Sequence, residues 1–106
     1  MKMVMAIVNK QDSGELCQAL TVSGYYFTKM ATTGGFLTSG NTTLLIGIED
    51  EKLQDVLSVI RSHCSRRVEA LPSSMQTAEP GLVLPMEVTV GGATVFVTDV
   101  LQFEKM

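Results

Sequence analysis

The stretch from Thr42 to Cys64, TTLLIGIEDEKLQDVLSVIRSHC, decides the fold, because two different periods meet inside it. Thr42 to Glu49 is a strand-length run, apolar on what would be both faces of a sheet. From Asp50 onward the period changes. Leu53, Val56, Leu57, Ile60 and Cys64 recur at helical spacing, while Glu51, Lys52, Gln54, Asp55 and Arg61 face away. Asp50 is the expected cap of that helix. A strand followed directly by an amphipathic helix is half of a repeating plan, and the start of the chain supplies the other half. Met3 to Val8, MVMAIV, reads as a strand. Asp12 or Ser13 can cap a helix, with Glu15 in its first turn and Leu16, Ala19 and Leu20 on its buried side. Gly24 stands where a left-handed residue ends such a helix.

Between these two units, Tyr25 to Ala31 reads as a second strand. A glycine-rich loop follows it. Beyond the second helix, Arg67 to Leu71 gives a short strand, and Pro72 to Pro85 is a loop long enough to be functional or mobile. Met86 to Val90 alternates, Gly91-Gly92 reads as a two-residue hairpin turn, and Ala93 to Val100 is the last strand. The order βαβ, βα, β-hairpin predicts one α+β domain over residues 1–106, a sandwich of the split βαβ, ferredoxin-like kind. Two short helices cover only one face of an antiparallel sheet, and its other face should then be polar. MVMAIV and LLIGI are apolar on both faces, so subunits are expected to pack sheet to sheet in an oligomer.

Composition narrows the function. With 106 residues, 45% apolar and 18% charged, the chain is an ordinary soluble globular protein. Its apolar runs are strand-sized, no signal-peptide cleavage site is present, and a cytoplasmic location follows by default. A net charge of −3 argues against DNA, RNA or acidic-membrane binding, each of which needs a basic face. The one basic cluster, Arg61, His63, Arg66 and Arg67, falls partly where a helix ends, and cations there favour the helix dipole.

No catalytic or metal constellation emerges. His63 has neither nucleophile nor carboxylate partner at a useful spacing. Cys17 and Cys64 read as small buried hydrophobes, and with one histidine they make a poor metal site. The chemistry gathers instead in Thr28 to Asn41, TKMATTGGFLTSGN. Gly34-Gly35 is not a phosphate loop of the Walker kind, because no Gly-Lys-Ser/Thr follows. A wide turn explains the glycines but not the display of Phe36 and Leu37. An aromatic ring beside freed backbone amides suits stacking on a base, and the carboxamide of Asn41 suits an adenine edge. Gly47 inside the third strand signals either a bulge or a close approach by another group. Gly91-Gly92 is hairpin chemistry first and a place for close backbone approach second.

The start MKMVMAIVNKQDSGEL, the loop TKMATTGGFLTSGNTTLL, the helix LQDVLSVI and the end PMEVTVGGATVFV resemble the cyclic-di-AMP receptor family, a branch of the PII-like signalling proteins. That resemblance covers nearly the whole chain. It implies a cytoplasmic, non-enzymatic homotrimer of ferredoxin-like subunits, which binds one cyclic dinucleotide in each cleft between subunits. Signalling would pass through long loops, here at about 32–41 and 72–85, to an unidentified downstream protein. By position the implied ligand contacts are Thr28, Gly35, Phe36, Leu37, Asn41 and Gly47, with Gly92 nearby. Phe36 would stack on an adenine, while Thr28, Asn41 and loop amides would read base edges and phosphate.

The chain departs from the family pattern at Tyr26, where ligand-binding members commonly carry an arginine. Tyrosine stacks and donates one hydrogen bond but supplies neither charge nor bidentate fork. For a dianionic ligand the difference is about 1.5–3 kcal/mol. Lys29, close in sequence, should point to the opposite face of the strand. The leading expectation is a PII-like cyclic-di-AMP receptor without cofactor or metal. The alternatives are a PII-like regulator of another adenine nucleotide and a ligand-free trimeric interaction module.

Overall fold

Strand β1 (Lys2–Asn9) runs without a loop into helix α1 (Lys10–Val22). The structure, a computed structural model, describes residues 1–30, 40–65, 67–70 and 87–106. At the junction Asn9 keeps an extended backbone while its side-chain oxygen accepts the Gln11 N–H at 2.8 Å. Asn9 is therefore the cap, and not Asp12 or Ser13 as the sequence suggests. A strand that turns straight into a helix leaves no loop residue to do this, so the last strand residue takes the role. Asp12 and Ser13 lie buried in the first turn, where Ser13 Oγ donates to the Lys10 carbonyl. The helix ends as expected, with Gly24 at a φ of +84°.

Strand β2 spans only Thr28–Met30, shorter than the expected Tyr25 to Ala31 (Ala31 lies outside the described residues). Tyr25 and Phe27 pack against the core instead of joining the ladder. Strand β3 (Asn41–Ile48) is followed by a single 3-10 turn at Asp50–Lys52 and then helix α2 (Leu53–Cys64). That turn displaces Asp50 from the capping position. Its carboxylate pairs with the Met1 amino group at 3.0 Å, and this hydrogen bond holds its pKa below the usual carboxylate range. The Tyr25 hydroxyl donates to the Asp55 carboxylate of α2, which ties the approach to β2 to the second helix.

Strands β4 (Arg67–Ala70) and β5 (Glu87–Val90) pair with each other in a separate two-stranded sheet. Strand β6 (Ala93–Asp99) joins the main sheet, whose order is β2-β3-β1-β6 with every neighbour antiparallel. The expected hairpin across Gly91-Gly92 is therefore not formed. Both glycines adopt positive φ, +80° and +88°, and carry the chain from one sheet to the other. The physical reason is ladder length. Against β1, strand β6 gains a register running from Lys2↔Asp99 to Val8↔Ala93, whereas β5 is only 4 residues long.

Val4, Ala6 and Val8 of β1 and Leu44, Ile46 and Ile48 of β3 meet Leu16 and Leu20 of α1 and Val56, Ile60 and Cys64 of α2. These are the residues of alternate strand positions, so both helices cover one face of the sheet. The other face carries Met3, Met5, Ile7, Leu45 and Phe96, and the Phe96 ring is 43% exposed. The result is a small α+β sandwich of two helices on a four-stranded antiparallel sheet, compatible with the ferredoxin-like expectation. The expected loop at 72–85 and residues 32–39 of the earlier loop lie outside the described residues.

Candidate functional site

Side chains alternate along β3, so Asn41, Thr43, Leu45 and Gly47 share the face turned away from the helices. Thr28 pairs with Leu45 and belongs to the same face. Tyr26, two residues before β2 and 91% exposed, lines the same cleft as Gly47. Tyr26, Thr28, Leu45 and Gly47 line one cleft of about 460 Å³, together with Phe103 and Lys105 from beyond β6. At the opposite end of the face, Asn9, Asn41, Gly92 and Thr94 line a smaller cleft of about 180 Å³. Of the residues expected at the site, Tyr26, Thr28 and Gly47 thus come together, and Asn41 and Gly92 come together elsewhere. Gly35, Phe36 and Leu37 lie outside the described residues. The two groups are separated by the length of β3 between Asn41 and Gly47, roughly 20 Å at 3.3 Å per residue.

Gly47 is resolved by the register. Pairing runs unbroken from Lys2↔Ile48 to Asn9↔Asn41, so there is no bulge. A Cβ at Gly47 would meet no atom within 4 Å, and the backbone is open to the cleft. At the other end, Asn9 and Asn41 face each other across the β1–β3 ladder. Asn9 is committed to capping α1, and the Lys10 N–H donates to the Gly40 carbonyl at 2.6 Å, which fixes the backbone just before Asn41. Lys29 pairs with Leu44 on the helix face, as expected, and its charge is felt by Cys17 of α1.

The cysteines and the histidine take structural places. Cys64 is buried in the core, and Cys17 is half-buried, its thiol pushed up by burial against the opposing pull of Lys29. The His63 Nδ1 lies 2.9 Å from the Val59 carbonyl in the last turn of α2. Arg66 lies outside the described residues. A third cleft, about 530 Å³, sits on the helix side between α2 and β6, lined by Leu57, Ile60, Val95 and Val97 with Arg61. Of the expected residues that are described, only Gly92 reaches it.

Phe103 and Lys105 are missing from the sequence reading of the site. Their signal is slight: one aromatic in the charged segment LQFEK after the last strand. What brings them in is topology. The Val100 N–H donates to the Met1 carbonyl at 3.1 Å, extending the β1–β6 contact and turning the following segment across the end of the sheet. Exposed rings, a hydroxyl, open backbone and an ammonium around one cleft are the chemistry of recognition of a planar, anionic ligand.

A small α+β protein with such a face is of a ligand-recognition class. The whole chain, residues 1–106, matches the family of the cyclic-di-AMP receptor, and it belongs to that family. Membership supports a role as a signalling receptor. A crystal structure of a functionally unknown protein from Pediococcus pentosaceus ATCC 25745 is similar, with 41% sequence identity and a TM-score of 0.81. That similarity covers 99% of this chain and 96% of the other. Among the described residues no helix is long and apolar enough to cross a membrane.

Proposed function

We propose that this chain is a cytoplasmic, non-enzymatic, PII-like signalling protein, a single domain that binds cyclic-di-AMP in clefts between the subunits of a homotrimer. The observation that carries this reading is the open face of the sheet. Its centre is apolar, through Met3, Met5, Leu45 and Phe96, and a cleft lies at each end, a polar one beside Asn41 and Gly92 and one of mixed character beside Tyr26, Thr28 and Gly47. An apolar centre favours packing against other copies, and that packing would bring the ends of different subunits to shared clefts. A ligand with two bases engages two such ends; a mononucleotide engages one.

In this reading Phe36 stacks on an adenine, with backbone of Gly35 and Leu37 alongside. Thr28 and Asn41 read base edges and phosphate, and Gly47 and Gly92 let the ligand approach the main chain. Tyr26 contributes a ring at the cleft mouth. Binding changes the loops at about 32–41 and 72–85, which meet an unidentified downstream protein.

Calorimetric titration with cyclic-di-AMP, ATP and a guanine dinucleotide tests this directly. Binding of cyclic-di-AMP alone, at one site per subunit, is the expected result. Binding of ATP alone favours a PII-like regulator of another adenine nucleotide, a reading supported by the uncharged ring at Tyr26. No binding of any nucleotide at high micromolar concentration leaves only the ligand-free interaction module.

A further inference from the structure

We infer that the segment following β6 is part of the ligand site, with Phe103 as a second base-stacking ring and Lys105 as the cation that meets phosphate. This inference rests on the reading of the open-face clefts as a nucleotide site and assigns roles within it. Four separate parts of the chain build the larger cleft: Met1, the start of β2 with the residues before it, the end of β3, and this segment. Two exposed aromatic rings line it, Tyr26 at 91% and Phe103 at 67% exposure. Gly47 lies between β2 and β1 in the sheet, and the space where its side chain would stand is open. Rings flanking an open glycine are what a flat heteroaromatic base requires, since every base offers a π-face for stacking.

The charge argument is independent of the rings. In a chain of net charge −3, a cation at the site strengthens the hold of amides and hydroxyls on a phosphate. Three charged groups line the larger cleft. The Met1 amino group is taken by Asp50. Glu104 is an anion. Lys105 makes no ion pair among the described residues, so its ammonium is available to a ligand. Glu104 next to it makes the segment locally neutral, so Lys105 acts as a short-range contact and not through a broad positive field. The segment is anchored at its start by the Val100–Met1 hydrogen bond, which limits the entropy lost when it closes on a ligand.

The test titrates Phe103→Ala and Lys105→Ala separately with cyclic-di-AMP, at low and at moderate salt. Each variant is expected to bind about tenfold more weakly than the parent. Lys105→Ala is also expected to lose part of the salt dependence, which Phe103→Ala retains. Neither residue is in the core, so both variants should melt with the parent, and a variant that melts lower is replaced by Phe103→Leu or Lys105→Gln. If the parent binds and both variants match it, the inference is overturned while the nucleotide reading stands. If the parent binds no nucleotide, both are overturned.

Discussion

Asn9 does two jobs that the fold places on one residue. It closes the β1 ladder opposite Asn41 and caps α1 through the Gln11 N–H. Alanine there leaves one helix-terminal N–H without a partner, and urea unfolding of Asn9→Ala should show a loss of about 1 kcal/mol. Gly47 predicts the opposite separation of stability and function. Its side-chain position is open, and valine suits an extended backbone. Gly47→Val should melt no lower than the parent while binding of cyclic-di-AMP falls about tenfold, because the added methyl groups fill the floor of the cleft. A variant that binds like the parent would remove Gly47 from the site.

At the scale of elements, the ends of α2 are where electrostatics enters. Asp50, in the turn before the helix, has its pKa lowered by the Met1 amino group. A lowered carboxylate pKa contributes stability above its ordinary value of 3.8, and that contribution disappears as pH falls through the lower folded-state value. Asp50→Asn should therefore unfold at lower urea than the parent at about pH 7, with the gap closing at about pH 2. The buried face of helix α2 was legible in sequence, since Val56, Ile60 and Cys64 form one stripe and the structure buries all three, whereas its expected cap, Asp50, lies in the turn before it. The Gly91-Gly92 turn was not legible. Local chemistry announces a hairpin, but which strand β6 pairs with depends on β1, some ninety residues earlier, and no local signal reports that. The shortness of β2 has a related origin, because Tyr25 and Phe27 pack against the core and the Tyr25 hydroxyl is held by Asp55 of α2, 30 residues further on. The site divides likewise. Gly47 drew notice as a glycine inside a strand and Asn41 through its carboxamide, and Thr28 entered through the family resemblance, whereas Phe103 and Lys105 become neighbours of Gly47 only once the sheet order is known.

For the whole molecule, the partly exposed apolar centre of the sheet is the feature that demands a consequence. Phe96 sits opposite Met5 on that face. A glutamate at position 96 places a charge where copies would pack, and burying it unpaired is costly. Light scattering of Phe96→Glu should report monomer where the parent reports trimer, and nucleotide binding should fall with it if the clefts lie between subunits. A parent that is monomeric at micromolar concentration would end the trimer proposal.

The sheet order also fixes how the chain must fold. Strand β1 is central, yet its two neighbours are β3 and β6, and the Lys2–Asp99 contact closes a separation of 97 residues. Strands β1 and β3 with the two helices can assemble early around Val4, Leu44 and Ile60. One edge of β1 then stays unpaired until β6 arrives, and pairing so distant in sequence slows folding from microseconds toward milliseconds or longer. During that interval β1 presents a bare, apolar strand edge, so the species most prone to aggregate is the nearly finished one.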